Sequence, residues 1–267
     1  MKARLDNFYR GIKKYVEIFK LRFKSIWEYK FNFVFSIFRP FMELGVILII
    51  WVVVWNFVDV GDKAFFLAYL TIANLFSTNT FTWIGLEAMI KGFYRYDLSI
   101  LLSKPLSVVL NFYARQLSWF FISFFGFFPV LVFLIVFFKL SFVNFILLLN
   151  MLILVNLLSF LIIFAIDSLA FWVKGAWGIR YCFYVVQKLF SGALLPLFLF
   201  PKKFLMLLDY FPFKFFGHVP AFLILGKFSS FECLALFLIL GLWIFVSGLV
   251  AIGIFSLGLR KYESHGG

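Results

Sequence analysis

The amino-acid sequence predicts an all-α integral membrane protein with six transmembrane helices, an N-terminal amphipathic interfacial helix, and broken or re-entrant helices before the last span. Three observations carry this reading. Hydrophobic residues fill 64% of 267 positions and the mean hydropathy is +1.05, more apolar surface than a soluble core of this length could bury. Charge-free apolar runs occupy Ala64–Leu86, Gln116–Phe138, Leu140–Ile166 and Cys233–Leu259, each able to cross a hydrocarbon core about 30 Å thick as roughly 20 helical residues. These runs are apolar all round, without the two-residue alternation of a membrane β-barrel.

In chain order, residues 1–28 form a separate element. Leu5, Phe8, Tyr9, Ile12, Val16, Phe19, Phe23, Ile26 and Trp27 recur in steps of three and four, with lysines and arginines on the remaining face. That pattern fits a helix in the headgroup layer, its charges toward anionic lipid. Residues 29–267 are expected to form one six-span domain. The first span, about 31–58, is interrupted only by Arg39 and Glu43, four apart on one helical face and able to neutralise each other at the membrane border. The second covers about 64–88, the third 113–138, the fourth 141–171, the fifth 181–200 and the sixth 230–258.

Two connections stand out. In segment 87–105, Asp97 precedes an apolar run that Pro105 should end as a short helix. Composition favours an ordinary solvated loop there, although an amphipathic element joined to two spans is also where a motor could push. Residues 196–220 contain Pro196, Pro201, Pro212 and Pro220, which exclude one straight helix. Because non-helical backbone at membrane depth must be buried in protein or face a cavity, 196–227 is expected to be a broken or re-entrant segment at the outer face. Its lysines could meet lipid phosphates or an anionic cargo. In the last span Gly241, Gly248, Gly253 and Gly258 permit close helix approach.

Charge placement sets the orientation. Residues 1–40 hold ten of the 25 basic residues. Six spans starting inside add Lys91, Arg95, Lys104, Arg115, Lys174, Arg180, Arg260 and Lys261, giving 18 inside against six outside, with Lys188 within a span. Both termini are therefore expected in the cytoplasm. No soluble domain is long enough to turn the net charge of +13 into a nucleic-acid surface.

The chemistry of a soluble catalyst is missing. A phosphate-cradling loop needs Gly-Lys followed by Ser or Thr, whereas Gly226-Lys227 is followed by Phe228. His218 and His265 are the only histidines, neither lies in HExxH, and no cysteine pair has metal spacing, so no catalytic residue, metal site or cofactor is assigned to the chain. The intramembrane polar candidates are Arg39, Glu43, Asp167 and Lys188, with Glu232 at the border of the last span. Asp167 lies seven residues before Lys174 and Lys188 eight after Arg180. Antiparallel spans would bring them to similar depth, which predicts that they approach each other or share a polar cavity near the cytoplasmic side. The alternative is that Lys188 snorkels independently.

Four stretches carry a family likeness: EYKFNFVFSI (28–37), YDLSILLSKPLSVV (96–109), LAFWVKGAWGIR (169–180) and GLRKY (258–262). In order, spacing and topology the chain resembles the membrane permeases of type-2 ABC exporters, in a bacterial branch of six-span subunits. The resemblance implies a coupling helix seated on an ATPase within segment 87–105, with Glu87, Lys91, Arg95, Asp97, Lys104 and Pro105 as coupling residues. It implies two ATPase subunits carrying ATP and magnesium, and a second permease subunit, identical or closely related. The pathway between the two permeases would be lined partly by the first, second and fifth spans, in a bacterial cytoplasmic membrane. Alternatives are the membrane coupling subunit of a vitamin importer, whose Ala-Arg-Gly signature is met only by Ala114-Arg115-Gln116, and a membrane-bound enzyme or lipid-binding scaffold.

Overall fold

A computed structural model describes residues 2–57, 61–80, 97–138, 142–173 and 176–262, and among these the regular elements are all helical, with no strand. The long helices are α1 (Lys2–Glu28), α2 (Lys30–Val54), α3 (Lys63–Thr80), α5 (Val108–Phe137), α6 (Phe142–Ser168) and α10 (Ser230–Leu259). Between them lie α4 (Asp97–Leu102), α7 (Ala176–Phe190), α8 (Lys202–Leu208) and α9 (His218–Ile224), with short 3-10 turns at Leu169–Phe171, Leu197–Leu199 and Pro212–Phe216.

Among the described residues, four stretches are long and apolar enough to cross a membrane as helices: Phe33–Val54, Val108–Leu134, Phe142–Phe171 and Phe231–Leu259. Helices α3 and α7 occupy the second and fifth expected spans, with 18 and 15 described residues. The end of the second expected span, 81–88, lies outside the described residues.

Local chemistry sets several boundaries. Helix α5 begins at Val108 because Ser107, in extended conformation, accepts the Leu110 N–H at 3.5 Å. Helix α10 begins in a capping box: the Ser229 hydroxyl accepts from the Glu232 N–H, and Glu232 Oε2 accepts from the Ser229 N–H at 2.7 Å. Glu232 is thereby a helix cap rather than an intramembrane polar group. Helix α7 starts at Ala176 and stops at Phe190, earlier at both ends than 181–200. Its stop is set by Gly192 at φ +84 rather than by Pro196.

Gly192 is constrained twice. A Cβ at this position would lie 2.2 Å from the Tyr69 hydroxyl, on top of the cost of a left-handed backbone. Gly192→Ala is expected to lower stability by about 2–4 kcal/mol. Gly226 shares the positive φ, at +66, but has open space around it, so Gly226→Ala should lose only about 1–2 kcal/mol. Comparing the two melting temperatures in detergent checks the clash separately from the backbone strain. Among the glycines of the last helix, Gly258 alone makes a close approach, against the Phe171 ring; Gly241 and Gly253 face open space.

The largest apolar cluster joins α2, α3, α5, α6, α9 and α10 through residues such as Phe76, Phe120, Leu131, Val155 and Phe216. A second cluster seats α4: Leu98 and Leu101 are buried with Phe112, Phe160, Phe164 and Phe255 of α5, α6 and α10. Helix α1 leans on the first half of α5. The Tyr15 hydroxyl accepts the Ser107 N–H at 2.8 Å, the Ser118 hydroxyl donates to the Phe19 carbonyl at 3.1 Å, and Ile26 packs with Trp119 and Ile122. With 30 residues, α5 is about 45 Å long, roughly 15 Å more than a hydrocarbon core.

Candidate functional site

Helix α7 and the turn that ends it place polar side chains at Arg180, Tyr184, Gln187, Lys188 and Ser191, the three- and four-residue steps of one helical face. Arg180, Gln187, Lys188 and Ser191 are buried. That face turns inward and meets polar groups from α2, α3 and α6.

Toward the α4 end of the bundle, Arg180 forms a fork on Asp167 of α6. Its Nε donates to Oδ1 at 2.8 Å and its Nη2 to Oδ2, with both side chains fully excluded from solvent. Two parallel charge-assisted bonds fix direction as well as distance, which an ammonium could not do.

About two turns further along α7, Lys188 joins three helices. Its Nζ lies 2.8 Å from Glu43 Oε1 of α2 and donates to the Thr78 hydroxyl of α3. The Thr78 and Tyr184 hydroxyls donate to Glu43 Oε2 and Oε1 at 3.3 and 3.0 Å. Gln187 Nε2 donates to the Ser77 hydroxyl at 2.9 Å. The Lys188 side chain is 2% exposed and that of Glu43 26%, so the layer is sealed on one side and open on the other. Beyond it, the Ser191 carbonyl accepts the His218 N–H at 2.8 Å, and the Tyr69 hydroxyl meets His218 Nδ1 at 2.9 Å, joining α3 to the broken helices.

The polar interior extends past this layer. The side-chain amides of Asn79 on α3, Gln116 on α5 and Asn156 on α6 are buried without a hydrogen-bond partner among the described residues. No group of three or more His, Cys, Asp and Glu side chains among the described residues is placed to hold a metal ion.

The family model for the ABC-2 family transporter protein matches residues 52–266, most of the chain and every helix from α3 onward. The chain belongs to the ABC-2 transporter family. A search of curated proteins finds no match. ABC-2 membrane proteins are typically non-catalytic and generally pair with ATPase subunits. The match takes in Thr78, Asp167, Arg180, Tyr184 and Lys188, whereas Glu43 precedes it.

In this ABC-2 protein two expected pairings are replaced. Asp167 and Lys188 do not meet: Asp167 is held by Arg180 and Lys188 by Glu43. The reason is the early start of α7, which lifts Arg180 out of the expected cytoplasmic loop and into the bundle, about two turns ahead of Lys188. Nor is Arg39 the direct partner of Glu43; it acts on that carboxylate only at a distance, while the contacts come from α3 and α7. Of the coupling candidates, Glu87, Lys91 and Arg95 lie outside the described residues. Asp97 opens α4, and Lys104 and Pro105 are exposed in the turn after it. The residues that spacing missed are Arg180, Ser77, Thr78, Tyr184 and Gln187. The polar periodicity of 180, 184, 187, 188 and 191 was the available signal.

Proposed function

We propose that this ABC-2 protein is the six-span permease subunit of an ATP-driven exporter in a bacterial cytoplasmic membrane, with both termini in the cytoplasm. It works with two ATPase subunits, which carry ATP and magnesium, and with a second permease copy or close relative. Helices α3 and α7 count as the second and fifth spans, and residues 196–227 cap the outer end. Cargo leaves the cytoplasm or inner leaflet along a path between the two permeases, lined partly by α2, α3 and α7.

The observation that carries this reading is the seating of α4. A short helix with exposed Lys104 and Pro105 after it and buried Leu98 and Leu101 along it is shaped to accept force at its surface and pass it inward. The buried leucines share one apolar cluster with side chains of α5, α6 and α10, which gives a movement of α4 a packed route to three long helices. The Glu43–Lys188 layer lies where α2, α3 and α7 meet, and the partly exposed Glu43 gives it an accessible side, which suits a pathway between two copies. Buried amides on α3, α5 and α6 offer a moving bundle alternative partners.

The test is co-purification from the native membrane in mild detergent, followed by an ATPase assay on the complex. A stoichiometric ATPase subunit is expected. Replacing Asp97, Lys104 and Pro105 together by alanine should lower ATPase activity about tenfold while leaving the permease folded. A chain that purifies without an ATPase under these conditions overturns the reading.

A further inference from the structure

Between α1 and the first half of α5 runs an apolar groove of about 690 Å³, lined by Val16, Phe19, Leu117, Phe121 and Phe125 among others. Its walls are accessible: Val16 is 42% exposed, Phe121 42% and Phe125 60%. Along one rim, Lys13, Lys20 and Lys24 are exposed and recur at seven and four residues, one stripe of α1 beside Val16 and Phe23. Glu17 shares the stripe and pairs with Lys20 at 3.1 Å, leaving its charge balance positive.

We propose that this groove seats one acidic phospholipid, its acyl chain along Leu117, Phe121 and Phe125 and its phosphate on the lysine stripe of α1. The argument is charge complementarity joined to shape. An apolar channel with a basic rim repeats in miniature the two halves of an acidic lipid, a hydrocarbon chain below an anionic headgroup. Lysines near a membrane surface favour acidic over zwitterionic lipid, and the apolar walls hold the chain by burial. The lipid would brace α1 against α5, next to the Tyr15 contact with Ser107 at the end of the α4 connection.

Native mass spectrometry of the purified full chain, exposed to phosphatidylglycerol and phosphatidylcholine with identical acyl chains, tests this. The protein is expected to retain phosphatidylglycerol about fivefold over phosphatidylcholine. Replacing Lys13, Lys20 and Lys24 together by glutamine should bring that ratio near one. Val16→Trp, which fills the groove from an exposed wall, should release both lipids with the melting temperature unchanged. Equal retention of the two lipids by the unaltered protein overturns the proposal, as does full lipid retention by Val16→Trp. If Val16→Trp instead separates oligomers into single chains while lipid retention stays the same, the groove holds a second copy and the lipid assignment falls.

Discussion

Arg180→Ala is expected to cost about 3–5 kcal/mol, because it leaves the Asp167 carboxylate buried without its counter-charge. Both side chains are fully excluded from solvent, so the stranded carboxylate is cut off from bulk water. Against a typical net stability of 5–15 kcal/mol that loss is large enough to remove most folded protein from the membrane. Arg180→Lys should recover little, since an ammonium cannot supply two parallel donors to Oδ1 and Oδ2. Replacing both partners at once, Asp167→Leu with Arg180→Met, removes the stranded charge and should recover most of the stability. Melting temperatures read by fluorescence-detected size exclusion would separate these cases. A singly substituted Arg180→Ala protein melting like the unaltered one would mean that the fork does not tie α6 to α7.

The long helices were legible because a charge-free run of twenty or more residues leaves the backbone one way to satisfy its own polar groups. Pro105 likewise acts within a few residues of itself, whereas Glu232, an intramembrane candidate by position, turned out to cap its own helix through Ser229. The charged pairs were less accessible. Lys188 and Glu43 are 145 positions apart, and nothing near either residue names the other. Asp167 misleads because Lys174 and Arg180 read in sequence as loop anchors of matched depth, whereas Arg180 is itself a buried partner. The fifth helix begins ahead of its hydropathy signal because Ala176–Arg180 reads as a junction, although its alanine and arginine are buried in the bundle. Gly192 stops the helix ahead of Pro196 through its left-handed backbone, and the close Tyr69 hydroxyl that bars a side chain there exists only in the tertiary fold.

The same distinction between sealed and open sides gives the Glu43–Lys188 pair a different expected behaviour from the Asp167–Arg180 fork. Glu43→Gln leaves the Lys188 ammonium, 2% exposed, with hydroxyl and amide company but no counter-charge, and should cost about 3–5 kcal/mol. Lys188→Met leaves Glu43 with the Tyr184 and Thr78 hydroxyls and with 26% of its side chain exposed, so the loss should be only about 1–2 kcal/mol. The paired change, Glu43→Gln with Lys188→Met, should melt near the Lys188→Met value, because the stranded ammonium is gone. Function should not follow stability. If this layer holds α2, α3 and α7 together as the pathway opens and closes, both single variants and the pair should uncouple ATP hydrolysis from transport in the assembled complex. ATPase activity would persist while export falls. A structural brace alone would let the stable pair transport normally, and equal destabilisation by the two single changes would mean that Glu43 is as sealed from water as Lys188.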